Sequence, residues 1–204
     1  MADRRERPLL VAVGSSSKKA GKSTLATYLV RELGAENALK VSAGTHGPTG
    51  IITEPGVTGR EGTDTGYLRE AGASTVVWVN VPVEDAPDKI REALELFPGG
   101  GVLVAEGNSA VTYPDTVFSI FLATVPLTEF KPSAVEALPR ADLVLVDLRG
   151  ALSDRDVAGI ESDLEERAPG ARLIFFRDDR GMAEARLEAA VAARRALWVA
   201  RQPT

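Results

Sequence analysis

The sequence predicts a doubly wound α/β domain: a mainly parallel sheet with helices on both faces. Short runs rich in Val, Leu and Ile recur along the chain without the in–out alternation of a one-sided sheet, which is the pattern of strands buried on both faces. Segments with apolar residues at helical spacing separate these runs. At 204 residues, 44% hydrophobic and 26% charged, the chain can bury one sizeable core but is short for two independent domains.

The elements follow in order. Residues 1–7 are charged and read as a flexible terminus, with a single domain over 8–204. From Pro8, PLLVAVG predicts the first strand, and after a Ser/Lys/Gly loop STLATYLVRELG predicts a helix closed by Gly34. ALKVS at 38–42 and STVVWVNV at 74–81 read as strands, DAPDKIREALELF at 85–97 as an amphipathic helix, and GVLVAEG at 101–107 as the next strand. Further strands are predicted at 117–124, 142–150 and 171–176. The helix-patterned SDRDVAGIESDLEER precedes the last of these, and a long helix from Met182 follows it. Residues 42–66 break the rhythm with seven glycines and two prolines. They predict a glycine-rich loop that is mobile when free and closes over a ligand, the alternative being a fixed surface excursion anchored by Ile51 and Ile52 that serves as a homodimer contact.

Composition removes much chemistry. There is no Cys, which excludes disulfides, thiolate metal sites and cysteine nucleophiles, and the single His46 excludes multi-histidine metal centres. With 24 basic against 29 acidic residues the net charge is -5, so neither nucleic acid nor an anionic membrane is an expected partner. The charged start lacks the apolar stretch of a signal peptide, and no apolar run approaches the ~20 residues needed to span a bilayer. A cytoplasmic location is expected. Only six of the basic residues are Lys, and three of those, Lys18, Lys19 and Lys22, fall within five positions.

Those three belong to the loop between the first strand and helix, GSSSKKAGKST from Gly14 to Thr24, which contains the Gly-Lys-Ser of a nucleotide phosphate loop. Small residues let backbone N–H groups converge on phosphate oxygens and the helix start adds positive dipole. Lys22 reaches the outer phosphates, and the Ser23 hydroxyl can ligate Mg²⁺. Ser16, Ser17, Lys18, Lys19, Ala20, Gly21, Lys22, Ser23 and Thr24 are therefore the candidate nucleotide-binding residues. Ser16 stands where the strict pattern has its first Gly, so a variant loop path is expected. Glu106 ends an apolar strand before Gly107, where an open α/β sheet places ligand-binding groups, and can hold Mg²⁺ directly or through water. Asp64 is a candidate N-cap of a helix starting near Thr65. Asn108 offers a polar group to substrate just after Glu106-Gly107.

Over roughly residues 8 to 110 the chain resembles the molybdopterin-guanine dinucleotide biosynthesis protein B family and, more distantly, dethiobiotin synthetase. The resemblance lies in the phosphate loop, in a second strand ending in Lys (LKVSAGTHG), in a Gly-Thr-Asp segment before Ala-Gly-Ala (GTDTGYLREAGA), and in a strand ending in Glu-Gly (VLVAEGNS). It implies the fold of the phosphate-loop (P-loop) NTPases. It also implies that Lys22, Lys40 and Glu106 serve catalysis, that Ser23, Asp64 and Glu106 hold Mg²⁺, and that His46 matches one of a pair of histidines whose first member is absent here. A lone His46 can still meet a substrate anion.

Two functions follow. One is a Mg²⁺-dependent protein that hydrolyses ATP or GTP or transfers its phosphoryl group to a small-molecule acceptor. The other is a nucleotide-binding accessory protein assisting a cofactor-synthesising partner protein, with little catalysis of its own. A domain that binds no nucleotide is the residual case. DLRG at 147–150 and RDDRG at 177–181 are the candidate base-recognition segments, and neither carries the Asn-Lys-x-Asp sequence of guanine specificity, which leaves ATP and GTP both open.

Overall fold

The computed structural model describes residues 7–44, 47–127, 130–149 and 153–202. Eight strands form one sheet: β1 (Leu9–Ser15), β2 (Asn37–Ser42), β3 (Gly50–Ile52), β4 (Thr75–Asn80), β5 (Val102–Glu106), β6 (Thr116–Thr124), β7 (Leu143–Asp147) and β8 (Arg172–Phe176). Their spatial order is β3-β4-β2-β5-β1-β6-β7-β8, and every pairing is parallel except β3 with β4. The helices are α1 (Lys22–Leu33), α2 (Pro55–Thr58), α3 (Asp64–Glu70), α4 (Ala86–Leu94), α5 (Asn108–Val111), α6 (Pro132–Ala137), α7 (Asp154–Arg167) and α8 (Asp179–Ala200). This is the doubly wound α/β class that the sequence predicts.

Two apolar layers sandwich the sheet. On one face Leu25, Leu29, Leu68, Ala189 and Ala193, from α1, α3 and α8, pack on Val11, Val13, Val104 and Ile120. On the other, Ile90, Ala110, Ala134 and Leu164, from α4 to α7, pack on Ala12, Leu103, Phe121 and Val144. The central strands bury both faces, so Val102–Glu106 is buried at every position, the Glu included. The chain leaves β1 through α1 toward β2 on one side, and leaves β5 through α5 toward β6 on the other. Such a reversal opens a crevice at the carboxyl ends of β1 and β5.

Several boundaries differ from the sequence reading for local reasons. The strand predicted at 142–150 stops at Asp147, whose side chain accepts the Arg149 N–H at 3.0 Å and turns the chain. The last helix begins at Asp179 rather than Met182, because the Asp178 side chain accepts the Gly181 N–H at 2.7 Å and caps it. Within the stretch 42–66, Gly50–Ile52 pair antiparallel with Trp78–Asn80, Ile52 is buried, and α2 and α3 follow. Three residues are too few for a periodicity to show.

Gly107 fixes how closely β5 approaches β2. It has φ 145°, and a Cβ there would stand 2.4 Å from the Val41 carbonyl oxygen. Gly107→Ala is expected to lose about 3 kcal/mol through backbone strain and overpacking, lowering Tm by about 6–12 °C in a thermal melt. An unchanged Tm would mean the two strands are not held this close.

Candidate functional site

The phosphate loop lies between β1 and α1 at the crevice. Ser16 is buried despite standing at the first-Gly position of the motif. Its N–H donates to the Leu122 carbonyl at 2.9 Å, and its hydroxyl receives the Thr124 N–H at 3.0 Å. The Thr124 hydroxyl lies 3.0 Å from both the Ser16 and the Ser17 hydroxyls. A serine is accommodated here because β6 supplies it with partners, which is the physical content of the variant path. Positive φ falls instead on Lys19 (63°) and Gly21 (94°), the kind of backbone alternation that turns successive N–H groups into one concavity. The Lys18, Lys19 and Thr24 side chains are exposed at the rim, with Ala20 and Gly21 partly covered.

α1 starts at Lys22 with Gly21 as its cap. No side-chain hydrogen bond caps its amino terminus and no acidic residue lies in its first turn. A 12-residue helix so begun leaves its first N–H donors and positive dipole directed at the crevice. Lys22 Nζ donates to the Ser15 hydroxyl at 3.0 Å, and that hydroxyl donates to the Ser17 carbonyl at 2.8 Å. Burial pushes the Lys22 ammonium below its usual value, opposed in part by the charge of Glu106.

Glu106 is the structural centre of the site. Its register partners are Val13 on β1 and Lys40 on β2, so the carboxylate stands between the loop strand and the Lys-bearing strand. It is 5% exposed. Oε1 accepts the Ser23 hydroxyl at 2.9 Å, while Oε2 is buried without a hydrogen-bond partner. An unsatisfied buried carboxylate oxygen is costly unless something cationic meets it. Carboxylate and hydroxyl oxygens are hard donors of the kind Mg²⁺ takes, so Ser23 and Glu106 fit that ion.

Lys40, also partly buried, is pushed below its usual pKa by burial; Glu106 raises it and Lys22 lowers it further. Its ammonium is ion-paired with the Asp64 carboxylate. Asp64 is the first residue of α3, not its cap: Thr63 caps the helix, accepting the Gly66 N–H at 3.1 Å. The chain also passes very close to Gly66, where a Cβ would stand 2.2 Å from the Arg60 carbonyl oxygen. Lys40, Asp64, Arg60, Val57, Pro48 and Trp78 line a cleft of about 450 Å³. Asn80, fully buried, organises its wall, accepting from the Ser42 hydroxyl (2.9 Å) and Gly44 N–H (3.1 Å) and donating to the Pro48 carbonyl (2.9 Å).

Asn108 has a use the sequence did not suggest. Its amide accepts the Ser15 N–H at 2.8 Å and donates to the Ser15 carbonyl at 3.1 Å and the Ser133 hydroxyl at 3.2 Å, clamping the end of β1. His46 lies outside the described residues. The two candidate base-recognition segments lie side by side, with Arg149 paired to Asp147 at 3.1 Å and to Asp179 at 3.7 Å; Gly150 is outside the described residues. Lys131 was missed by the sequence reading. It sits at the N-cap of α6, and its pKa is lowered by burial and by the charges of Lys22 and Lys18. Its one signal was the scarcity of Lys in this chain. Thr124 gave no signal, because a Thr ending a strand is ordinary.

No family model and no curated protein matches the sequence. Among solved structures, the hydrogenase maturation factor HypB from Archaeoglobus fulgidus is similar, with TM-score 0.56 and 13% identity over 92% of this chain and 89% of that one. HypB from Helicobacter pylori aligns with TM-score 0.49 and 14% identity, covering 91% and 88% of the two chains. The fold and the Gly-Lys-Ser loop define the architecture of the P-loop NTPases. At this identity the likeness is one of fold. No helix among the described residues is long and apolar enough to cross a membrane.

The lysine cluster gives a signed pH dependence. A buried ammonium held below 10.5 is a cost to the fold while protonated, and that cost disappears as pH rises through the lowered value toward 10.5. An anion that restores the charge should therefore take up protons on binding, and should bind more weakly as pH rises through the same range. Calorimetry with inorganic tripolyphosphate, in alkaline buffers of differing ionisation enthalpy, is expected to show proton uptake that shrinks in Lys22→Ala. Release of protons would reverse the electrostatic assignment.

Proposed function

We propose that the chain binds ATP or GTP with Mg²⁺ at residues 16–24 and hydrolyses the nucleotide or transfers its terminal phosphoryl group to a small molecule. The observation that carries this is the Ser23–Glu106 pair, a buried carboxylate with one oxygen bound to the loop hydroxyl and the other unpartnered, beside Lys22 and an uncapped helix start. Ser23 and Glu106 would hold Mg²⁺, which when bound neutralises charge on the phosphate oxygens. Lys22 and Lys40 bring two ammonium groups to the same centre, where charge develops on a transferred phosphoryl. Lys131 adds a third from α6.

The acceptor reading is favoured over a purely accessory one by the Lys40–Asp64 pair and the cleft it opens on. A nucleotide switch that acts only through a partner needs no such cavity beside its phosphates. On this reading Asp64, whose carboxylate pairs with Lys40, holds that ammonium at the mouth of the cleft and serves as a metal ligand only if the pair opens. The resemblance over residues 8 to 110 to the molybdopterin-guanine dinucleotide biosynthesis protein B family supports instead the second reading, a nucleotide-binding accessory protein that assists a cofactor-synthesising partner.

Titration calorimetry with Mg·ATP and Mg·GTP is expected to show binding of at least one, weakened about 100-fold or more in Lys22→Ala. Glu106→Gln keeps shape but removes charge. It is expected to leave metal-free nucleotide binding in place while reducing Mg²⁺ affinity and Mg²⁺-dependent turnover about 10–100-fold. Absence of binding at about millimolar nucleotide, a weak-affinity limit, would end the proposal.

A further inference from the structure

α8 has two apolar faces, and the sheet uses one. Met182, Ala185, Ala189, Ala193 and Leu197 are buried against the strands. On the opposite side Leu187, Val191 and Trp198 stand 53%, 57% and 65% exposed, at spacings of four and seven that put them on one line along the helix. A groove of about 590 Å³ beside them, lined by Val117, Phe118, Val191, Ala196 and Val199 among others, widens the apolar surface toward the amino ends of β6 and β8.

We propose that this face binds a second copy of the chain, with α8 packed antiparallel on its twin about a two-fold axis near Val191. The charge pattern selects that occupant and that direction. The amino-terminal half of the helix carries Asp179, Glu184 and Glu188 together with Arg180 and Arg186, whereas the carboxyl-terminal half carries Arg194 and Arg195, with Arg201 just beyond it, and no acidic residue. An antiparallel twin with the axis near Val191 sets Glu188 opposite Arg195 and Val191 opposite Ala192, whereas a parallel one sets Arg195 against Arg195 and Glu188 against Glu188. Self-complementarity of this kind is what an isologous interface requires. Glu184 and Glu188 pair within the chain with Arg180 and Arg172, and Arg194 with Glu32, all at exposed positions where such pairs are weak and readily exchanged. Arg195 and Arg201 have no ion pair among the described residues. At 1.5 Å per residue, 22 residues span about 33 Å, close to the width of a round patch of about 800 Å² per partner. Trp198 and Arg195, on this face, are of the residue types that carry interface energy.

The helix runs away from the nucleotide site. It begins after the carboxyl end of β8 and finishes with Ala200 beside Leu9 and Gly101, at the amino ends of β1 and β5. Both crevices stay open in the dimer, so its test is separable from that of nucleotide binding.

Sedimentation equilibrium of the full chain up to about 100 μM is expected to give twice the 21.6 kDa monomer mass. Val191→Arg should weaken association about 100-fold or more while leaving the circular dichroism spectrum unchanged. Glu188→Arg and Arg195→Glu should each weaken it, and the double variant should restore it. A wild-type chain that stays monomeric overturns the proposal, and so does a dimer indifferent to Val191→Arg or not restored by the charge exchange.

Discussion

The crevice is organised around one buried charge. Glu106 sits at the end of a strand enclosed on both faces, where a carboxylate is expensive, and the neighbouring elements are arranged as its counterweights. Ser23 on α1 reaches it, Lys22 and Lys40 are felt by it, and Gly107 lets β2 lie close enough for Lys40 to share its register. The same closeness that raises the cost of the charge makes its field strong. Few elements need to be specified separately once β5 ends in that residue.

A second organising device is the set of short hydroxyl and amide links that fix backbone rather than meet ligand. Ser15, Ser16 and Ser17 bond among themselves, to Thr124 and to Asn108, so the loop is tied to β6 on one side and to the start of α5 on the other. A glycine loop gets its shape from missing side chains. This one gets it from hydroxyls that satisfy one another, and the conformational freedom it gives up is already lost before any phosphate arrives.

What the sequence made legible was local. Val- and Leu-rich runs and the GKST helix start are readable within a dozen residues, so the fold class, the phosphate loop and Glu106 at its strand end were accessible. Lys40 and Asp64 were named as partners of the same centre but not of each other; their pairing joins residues from β2 and α3 and has no periodic trace. The adjacency of Asn108 to Glu106 is visible in sequence and points to substrate, whereas its bonds to Ser15, 93 residues away, are not visible there. Lys131 and Thr124 enter only through the topology that sets β6 beside β1. The edge strand β3 escaped notice because three residues among seven glycines cannot display an alternation.

That small strand has a bearing on the life of the protein in a crowded solution. A mainly parallel sheet ends on each side in unpaired backbone groups that invite another chain to add itself. β3 closes one side with only three residues running against the grain of the rest, too short to template an incoming strand, and Pro48 and Pro55 bracket it on either side. On the far side β8 has five residues and opens with Arg172, a charge that an added strand would have to accommodate. Resistance to runaway aggregation is thus built into the two margins of the sheet, at a distance from the chemistry at its centre.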